Sequence, residues 1–140
     1  AAFIMPLAGS EVDVPAFAAV LRALVGMGTD VRVVCTLEWA QAMPKQGVTG
    51  VFSYGEGFGM LRGVLGALEI PYHRVRPTAW KKRILAGTAK DKHAAVEFVR
   101  AAYPSLDLMR TAACKKPHDG MADAVCLASF GWREYFGGAS

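Results

Sequence analysis

The sequence predicts a single α/β domain in which one sheet is flanked by helices. Segments rich in valine alternate with segments whose apolar residues recur at helical spacing, which is the pattern of strands alternating with helices. The 140 residues are enough for one compact domain, and a hydrophobic content of 53% excludes a disordered tail. No apolar run reaches the roughly 18 uncharged residues that span a bilayer, so we expect no membrane partner. The three cysteines are too few and too irregularly spaced for a disulfide scaffold or a zinc site.

In the first half of the chain the pattern predicts a strand, a helix and a second strand. Residues 1–7 are apolar and compatible with a strand. Asp13 is suited to cap a helix whose apolar residues recur at helical spacing as far as Gly26. Residues 30–39 are rich in valine and predict a buried strand, whereas residues 40–53 predict a loop.

In the second half helices predominate. A glycine-spaced turn at residues 55–59 is expected to open a helix that reaches Leu68, and residues 71–75 predict a short strand. Three further helices are predicted at residues 80–85, 92–103 and 119–136.

The glycine-spaced turn invites comparison with phosphate-binding loops. Gly55, Gly57 and Gly59 do not follow the dinucleotide-binding spacing, and the lysine and hydroxyl residue of a P-loop do not come after them. A turn that lets a helix pack closely against neighbouring backbone or DNA is the better interpretation.

The basic residues are clustered, within a chain of net charge +4 and pI near 9.1. Clustered cations beside aromatic residues such as Tyr72 and Trp80 are typical of a surface that binds a polyanion. An ordinary solvated helix surface is the alternative. A second small group consists of Lys115 and Lys116. The main cluster contains seven of the sixteen basic residues: Arg74, Arg76, Lys81, Lys82, Arg83, Lys90 and Lys92.

Three carboxylates are candidates for a metal site. Glu38 follows a strongly apolar strand and is therefore expected at the sheet edge where α/β proteins place ligands. Asp119 and Asp123 are four residues apart on a predicted helix, so both project from one face, and apolar residues follow Asp123. A divalent cation would offset the cost of burying such a carboxylate. The alternatives are an ordinary solvent-facing acid at position 38, and an N-cap at position 119 beside a half-exposed acid.

Five segments, in order along almost the whole chain, resemble the RuvC-type Holliday junction resolvases, and most closely the monokaryotic chloroplast resolvases of plants and algae. Each segment alone is a weak signal, and their common order is what makes the resemblance specific. The segments are 36–38 (Thr-Leu-Glu), 52–61 (Phe-Ser-Tyr-Gly-Glu-Gly-Phe-Gly-Met-Leu), 77–82 (Pro-Thr-Ala-Trp-Lys-Lys), 89–92 (Ala-Lys-Asp-Lys) and 115–124 (Lys-Lys-Pro-His-Asp-Gly-Met-Ala-Asp-Ala).

The resemblance implies an RNase H-like fold with a mixed central sheet and a cluster of acids that binds two Mg²⁺ ions, with Mn²⁺ as a possible substitute. It makes Glu38 and Asp123 metal ligands, with Asp119 as a further ligand or a general acid or base. The implied activity is a magnesium-dependent endonuclease that resolves four-way DNA junctions by paired nicks, in which a homodimer places two sites on symmetric strands. The implied location is the chloroplast, with a bacterial or phage relative as the alternative.

The resemblance also assigns contacts to DNA. Phe52, Tyr54 and Phe58 are the aromatic residues expected to enter the opened centre of the junction. Contacts to phosphates are expected from Lys81, Lys82, Lys90, Lys92, Lys115 and Lys116.

Two features depart from the family pattern. The relatives carry an essential Asp at the end of their first strand, whereas residues 1–10 contain no acid. Residues 1–7 resemble a later strand of the opening meander, so we expect the first strand and its Asp to precede Ala1 in the complete molecule. The relatives also tend to carry a basic stretch before the first helix, where this chain has Glu11 and Asp13.

Three functions therefore compete. The leading hypothesis is the magnesium-dependent junction endonuclease. The second is a DNA-binding protein of the same fold that has lost catalysis, because the first-strand Asp is not in this sequence. The third is a small-molecule α/β enzyme that binds phosphate at residues 55–59.

Overall fold

The structure is a computed structural model, and it describes residues 1–28, 30–39, 41, 47–88, 91 and 93–137. Over these residues the fold is mixed α/β, with five helices and two small two-stranded sheets. The α/β class agrees with the sequence prediction, whereas the prediction of one sheet is wrong for the described residues. The chain divides into two compact units: one comprises Ala1–Ile4, Thr36–Glu38 and Arg74–Ser140, and the other Met5–Cys35 and Trp39–His73.

The second unit opens with a minimal hairpin rather than the strand predicted at residues 1–7. Strands β1 (Leu7–Ala8) and β2 (Glu11–Val12) pair antiparallel, and Gly9 adopts a φ of +66° in the turn between them. One further hydrogen bond extends the hairpin, from the backbone N–H of Asp13 to the carbonyl of Pro6 at 2.9 Å, and Pro6 has no N–H with which to continue the pairing. The prediction of a strand over residues 1–7 is therefore wrong, because only Leu7 of that segment belongs to a strand.

Helix α1 (Val14–Val25) follows the sequence prediction closely. Asp13 caps it, because its Oδ1 accepts a hydrogen bond of 3.0 Å from the backbone N–H of Ala16, and the helix ends at Gly26. Such a side-chain cap is worth about 1 kcal/mol.

Helix α2 (Val48–Ala67) overturns the loop predicted at residues 48–53 and the glycine turn predicted at residues 55–59, whereas residues 40 and 42–46 of the predicted loop lie outside the described residues. The helix begins directly after Gly47, so Gly55, Gly57 and Gly59 lie inside it. A glycine in a helix interior costs about 1 kcal/mol relative to alanine, which is why the sequence favoured a turn. Packing against α1 and β2, with Val64 and Leu65 buried, offsets this local preference. Its six glycines are Gly50, Gly55, Gly57, Gly59, Gly63 and Gly66.

A second short sheet is formed by β3 (Cys35–Glu38) and β4 (Tyr72–Val75). The strand predicted at residues 30–39 is therefore shorter than expected, since residues 31–34 belong to no strand, while the strand predicted at 71–75 is confirmed. β3 ends at Glu38, so the prediction that this acid closes a strand is confirmed.

The first unit is built around α5 (Asp119–Tyr135), which packs against α3 (Pro77–Ile84) and α4 (Ala94–Ala102). The core holds fully buried side chains from each helix, among them Trp80, Val99 and Cys126. Burial of this apolar surface supplies about 25 cal/mol for each Å² removed from water. The central helix therefore has one face in the core, and the residues at the margin of that face lie beside buried apolar atoms.

The helices of this unit lie close to their predicted positions. α3 begins three residues before the expected start, because Pro77 has the fixed φ that suits the first turn of a helix. α4 starts at Ala94 and ends before Pro104, and α5 matches its prediction within one residue at its end. In the described part of the chain no helix combines the length and the apolar character that crossing a bilayer requires.

Candidate active site

Glu38 is held by a strand that is fixed against the central helix of its unit. Two residues earlier, Thr36 donates its hydroxyl proton to the backbone carbonyl of Leu127 in α5 at 2.9 Å. Gly131, one turn further along α5, presents no Cβ at the point where the side chain of Thr36 approaches. The end of β3 therefore has a defined position relative to the helix that carries Asp123.

The carboxylate of Glu38 accepts a short hydrogen bond from a buried indole. Nε1 of Trp80 donates to Oε2 of Glu38 at 2.7 Å, at the short end of the range for a charged acceptor. Trp80 is fully buried, with an exposed fraction of 0%, while Glu38 is half-buried. Glu38 therefore reaches solvent only in part, and one of its two oxygens is held by a buried donor.

Asp123 lies on α5 at the margin of the core and is half-buried. Desolvation raises the pKa of its carboxyl above the ordinary value, and the negative charges of Glu38 and Asp119 raise it further. The positive charge of Lys81 lowers the same pKa. The charges of Glu38, Asp119 and Lys81 thus all act on the carboxyl of Asp123, and these four residues are called the electrostatic cluster below.

Asp119 is the outermost of the three acids and is exposed. It occupies the first turn of α5, where a negative charge is favourable near the helix N-terminus. The N-cap is His118, whose Nδ1 accepts a hydrogen bond from the backbone N–H of Met121 at 3.2 Å. The alternative that assigned the cap to Asp119 is therefore wrong. Asp119 also lines a cavity of about 500 Å³ together with Arg100 and Lys116.

The chemistry of this donor set suits a hard divalent cation, because carboxylate oxygens are the ligands that Mg²⁺ prefers. Glu38 and Asp123 repel each other in a partly desolvated setting, and a cation would offset that repulsion. Among the described residues no group of three or more His, Cys, Asp and Glu side chains is arranged to hold a metal ion. The structure therefore offers a pair of carboxylates, with Asp119 further out.

The basic residues of α3 form an exposed cationic surface beside these acids. Lys81, Lys82 and Arg83 are all exposed, and Lys81 and Lys82 line a cavity of about 930 Å³. The Nζ of Lys81 lies 5.2 Å from the ring centroid of Trp80, and Arg83 donates from Nε to Oε1 of Glu134 at 3.2 Å. The exposure of these three side chains fits both a polyanion-binding surface and an ordinary solvated helix surface.

The contribution of Trp80 to that surface was predicted wrongly. The sequence placed its ring beside the cations on a polyanion-binding face, yet the ring is buried among the residues of the core. Lys115 and Lys116, in the loop before α5, are exposed, whereas Lys90 and Lys92 lie outside the described residues.

The aromatic residues expected at the junction centre lie on α2, in the other unit. Phe52 and Tyr54 are exposed, with Phe52 at 69%. Phe58 is half-buried, and the guanidinium of Arg62 lies 5.8 Å from the centroid of its ring. Their insertion into DNA stays a prediction.

Sequence reasoning missed the roles of Trp80 and Lys81 around the carboxylates. One signal was available: Trp80 and Ile84 are four residues apart and both buried, and a buried indole N–H needs an acceptor. The pairing with Glu38, 42 positions earlier in the chain, carries no local signal.

In comparisons with known proteins, no protein-family model matches this chain and no curated protein matches it.

Proposed function

We propose that this chain is the catalytic part of a metal-dependent endonuclease that cuts four-way DNA junctions, with the RNase H-like fold of the RuvC-type resolvases that its five segments resemble. The observation that carries the proposal is the placement of Glu38 at the end of β3, a strand that Thr36 and Gly131 fix against α5, the helix that bears Asp123. A strand that ends in an acid and is fixed against a helix bearing a second acid is what a phosphodiesterase of this kind needs, because cation ligands must be held rigidly.

Glu38 and Asp123 would hold the divalent cation, and Asp119 would act as an outer ligand or a proton-transfer group. When bound, Mg²⁺ or Mn²⁺ would polarise the scissile phosphate and lower the pKa of the attacking water. The protein residues would contribute position and charge. Trp80 holds one oxygen of Glu38, and Lys81 provides positive charge beside Asp123.

The cations around the cluster would bind the DNA backbone. Lys81 and Lys82 are exposed on α3, and Lys116 lines the cavity next to Asp119. Each phosphate contact releases counterions, so we expect junction binding to weaken steeply as the salt concentration rises. A homodimer that presents two such sites to symmetric strands, and a location in the chloroplast, belong to the same proposal.

A DNA-binding protein without catalysis is the second candidate function. It is favoured because the described residues contain no group of three or more His, Cys, Asp and Glu side chains arranged to hold a metal ion. The 140 residues also do not contain the first-strand Asp that the family resemblance requires.

The test is a cleavage assay with a synthetic four-way junction and the full-length protein, with Mg²⁺ or Mn²⁺ added and with a chelator in the control. Because Glu38→Gln and Asp123→Asn remove the charges that bind the cation, each should lower cleavage by at least 100-fold while junction binding persists. Matched controls are Glu11→Gln in β2 and Asp107→Asn, which make the same chemical changes at exposed positions.

Each result of the assay decides between the candidates. Metal-dependent cleavage that both variants leave undiminished would contradict the proposed site. Tight junction binding by the unmodified protein, without cleavage under any metal condition, would overturn the nuclease and favour the second candidate.

A further inference from the structure

We infer that Trp80 is a positioning residue for Glu38: its indole N–H occupies Oε2 and leaves Oε1 as the oxygen that binds the cation. The inference rests on the proposed function, since it assigns Glu38 to a cation. It goes beyond the family resemblance, which gives no role to the side chain at position 80.

The hydrogen bond is built to persist. Its length of 2.7 Å and its charged acceptor place it among the stronger hydrogen bonds of proteins. Trp80 has no exposed surface and packs in the core with Ile84 and Cys126, so its indole cannot exchange Glu38 for water without disturbing that core. The position of the indole N–H of Trp80 is therefore fixed by the core, and the side chain of Glu38 adopts the conformation that reaches it.

The consequence for Glu38 is a restricted carboxylate. A free glutamate side chain rotates about three bonds, and a hydrogen bond from a fixed donor removes most of that freedom. Within the described part of the chain, Oε2 is the oxygen of Glu38 that accepts a hydrogen bond, and Oε1 has no such donor. Carboxylates that bind metals are commonly held through one oxygen by a donor behind them.

The neighbouring residue on α3 reinforces the arrangement. Lys81 follows Trp80 directly, its Nζ lies 5.2 Å from the indole centroid, and its charge acts on Asp123. Trp80 and Lys81 are adjacent on α3 and act on different carboxylates. Trp80 donates a hydrogen bond to Glu38, and the charge of Lys81 acts on Asp123.

The first experiment reads the hydrogen bond itself in the metal-free protein. The chain has three tryptophans, so ¹⁵N labelling gives three indole N–H resonances, and Trp80→Phe identifies the one from Trp80. That resonance should lie downfield because its acceptor is a carboxylate, and Glu38→Gln should move it upfield. Glu11→Gln is the matched control and should leave it in place. A Trp80 resonance that Glu38→Gln does not move would overturn the inference.

The second experiment measures cation affinity by titration calorimetry with Mg²⁺ and, separately, Mn²⁺. Trp80→Phe keeps an aromatic ring in the core but removes the N–H, and should weaken binding by about 10- to 100-fold. Trp132→Phe makes the same change at a tryptophan that is 60% exposed, and should leave the affinity unchanged. Unchanged affinity in Trp80→Phe would overturn the inference. If Trp80→Phe does not fold, Trp39→Phe and Trp132→Phe assign the Trp80 resonance by elimination, and its response to Glu38→Gln then decides alone.

The two proposals can fail separately. A cation that binds and depends on Trp80, in a protein that cleaves no junction, would overturn the nuclease and support the positioning role. If Trp80→Phe changes neither junction cleavage nor cation affinity, the positioning role is overturned and the nuclease is supported. Absence of cation binding in the unmodified protein would overturn the proposed metal chemistry, and the shift of the Trp80 resonance would still show whether the indole holds Glu38.

Discussion

Gly131 in α5 lies directly against Thr36 in β3, so closely that a Cβ at position 131 would overlap Cγ2 of the threonine. The same threonine donates its hydroxyl proton to the carbonyl of Leu127, one turn earlier in α5. Steric fit and a hydrogen bond therefore fix one residue of β3 to the helix. This contact sets the separation between the strand that ends in Glu38 and the helix that carries Asp123.

Gly131→Ala should lower the free energy of unfolding by about 1–3 kcal/mol, because the added methyl forces β3 and α5 apart. The higher helix propensity of alanine, worth about 1 kcal/mol, would only partly offset that loss. Urea denaturation measures the change. The double variant Thr36→Ser with Gly131→Ala removes the methyl that clashes and keeps the hydroxyl, so it should recover most of the stability. A Gly131→Ala protein as stable as the original would contradict the close approach.

Alanine in place of Gly55, Gly57 or Gly59 should have the opposite effect. These residues lie inside α2, and a Cβ at any of them would have no described atom within 4 Å apart from the backbone of its own helix. Each substitution should therefore raise the free energy of unfolding by up to about 1 kcal/mol. Thermal unfolding of the single variants checks it. Destabilisation by all three would favour the turn that the sequence predicted over the helix.

The pH dependence of stability should contain a contribution from Asp123. Because its pKa is raised in the folded protein, the folded state keeps this proton over a pH window in which the unfolded chain has released it. The contribution of Asp123 to stability therefore falls as the pH rises from its ordinary pKa through its folded pKa. Asp123→Asn lacks this loss, so it should be more stable than the original protein above that window and no more stable below it.

Denaturant unfolding of both proteins across the acidic and neutral range gives the difference curve. Asp107→Asn is the control, since it makes the same change in an exposed loop. A difference between Asp123→Asn and the original protein that does not vary with pH would refute the raised pKa.

Lys81 and Lys82 should behave differently although both are exposed lysines of α3. The charge of Lys81 lowers the pKa of Asp123, so Lys81→Gln should raise that pKa further. Lys82→Gln makes the same change one residue away and should leave the Asp123 titration in place. Carboxyl ¹³C chemical shifts followed against pH measure the effect. Equal shifts in the two variants would show that Lys81 has no specific role at the carboxylates.

Cys114 should react faster with iodoacetamide at neutral pH than the other two thiols. Oγ1 of Thr111 lies 3.3 Å from its Sγ, and this contact lowers the pKa of the thiol below its ordinary value. Burial raises the pKa of Cys35 to about 11 and that of Cys126 to about 12, which keeps both in the unreactive thiol form. Mass spectrometry of the modified peptides gives the order. Thr111→Val should slow the reaction of Cys114 alone, and a first modification at Cys35 or Cys126 would contradict the assignment.

The sequence predicted those parts of the fold that local chemistry determines. Asp13 caps α1, and α5 begins at Asp119, because capping and helical periodicity are written in neighbouring residues. The start of α2 was predicted wrongly, because six glycines argue against a helix and only its packing against other segments restores it. The prediction of a single sheet was wrong for a similar reason, because strand pairing depends on residues far apart in the chain.

The acids of the candidate site could be proposed from the sequence, whereas their partners could not. Glu38, Asp119 and Asp123 were proposed from residue type and position, and the charges of the first two act on the carboxyl of the third. The partners of these acids depend on tertiary contacts. A tryptophan and a lysine in a basic segment indicate a nucleic-acid surface, and nothing in the local sequence shows that the ring turns inward to a carboxylate.

The six glycines of α2 should make this helix the first part of its unit to unfold locally. A helix with low intrinsic propensity relies on its packing, so its amides should exchange with solvent through local opening events of low free energy. α5 has buried residues from Met121 to Gly131, so the amides of that stretch should exchange only when the unit around it unfolds. Local opening of α2, which carries Phe52 and Tyr54, should therefore leave Glu38 and Asp123 in place, because both acids belong to the other unit.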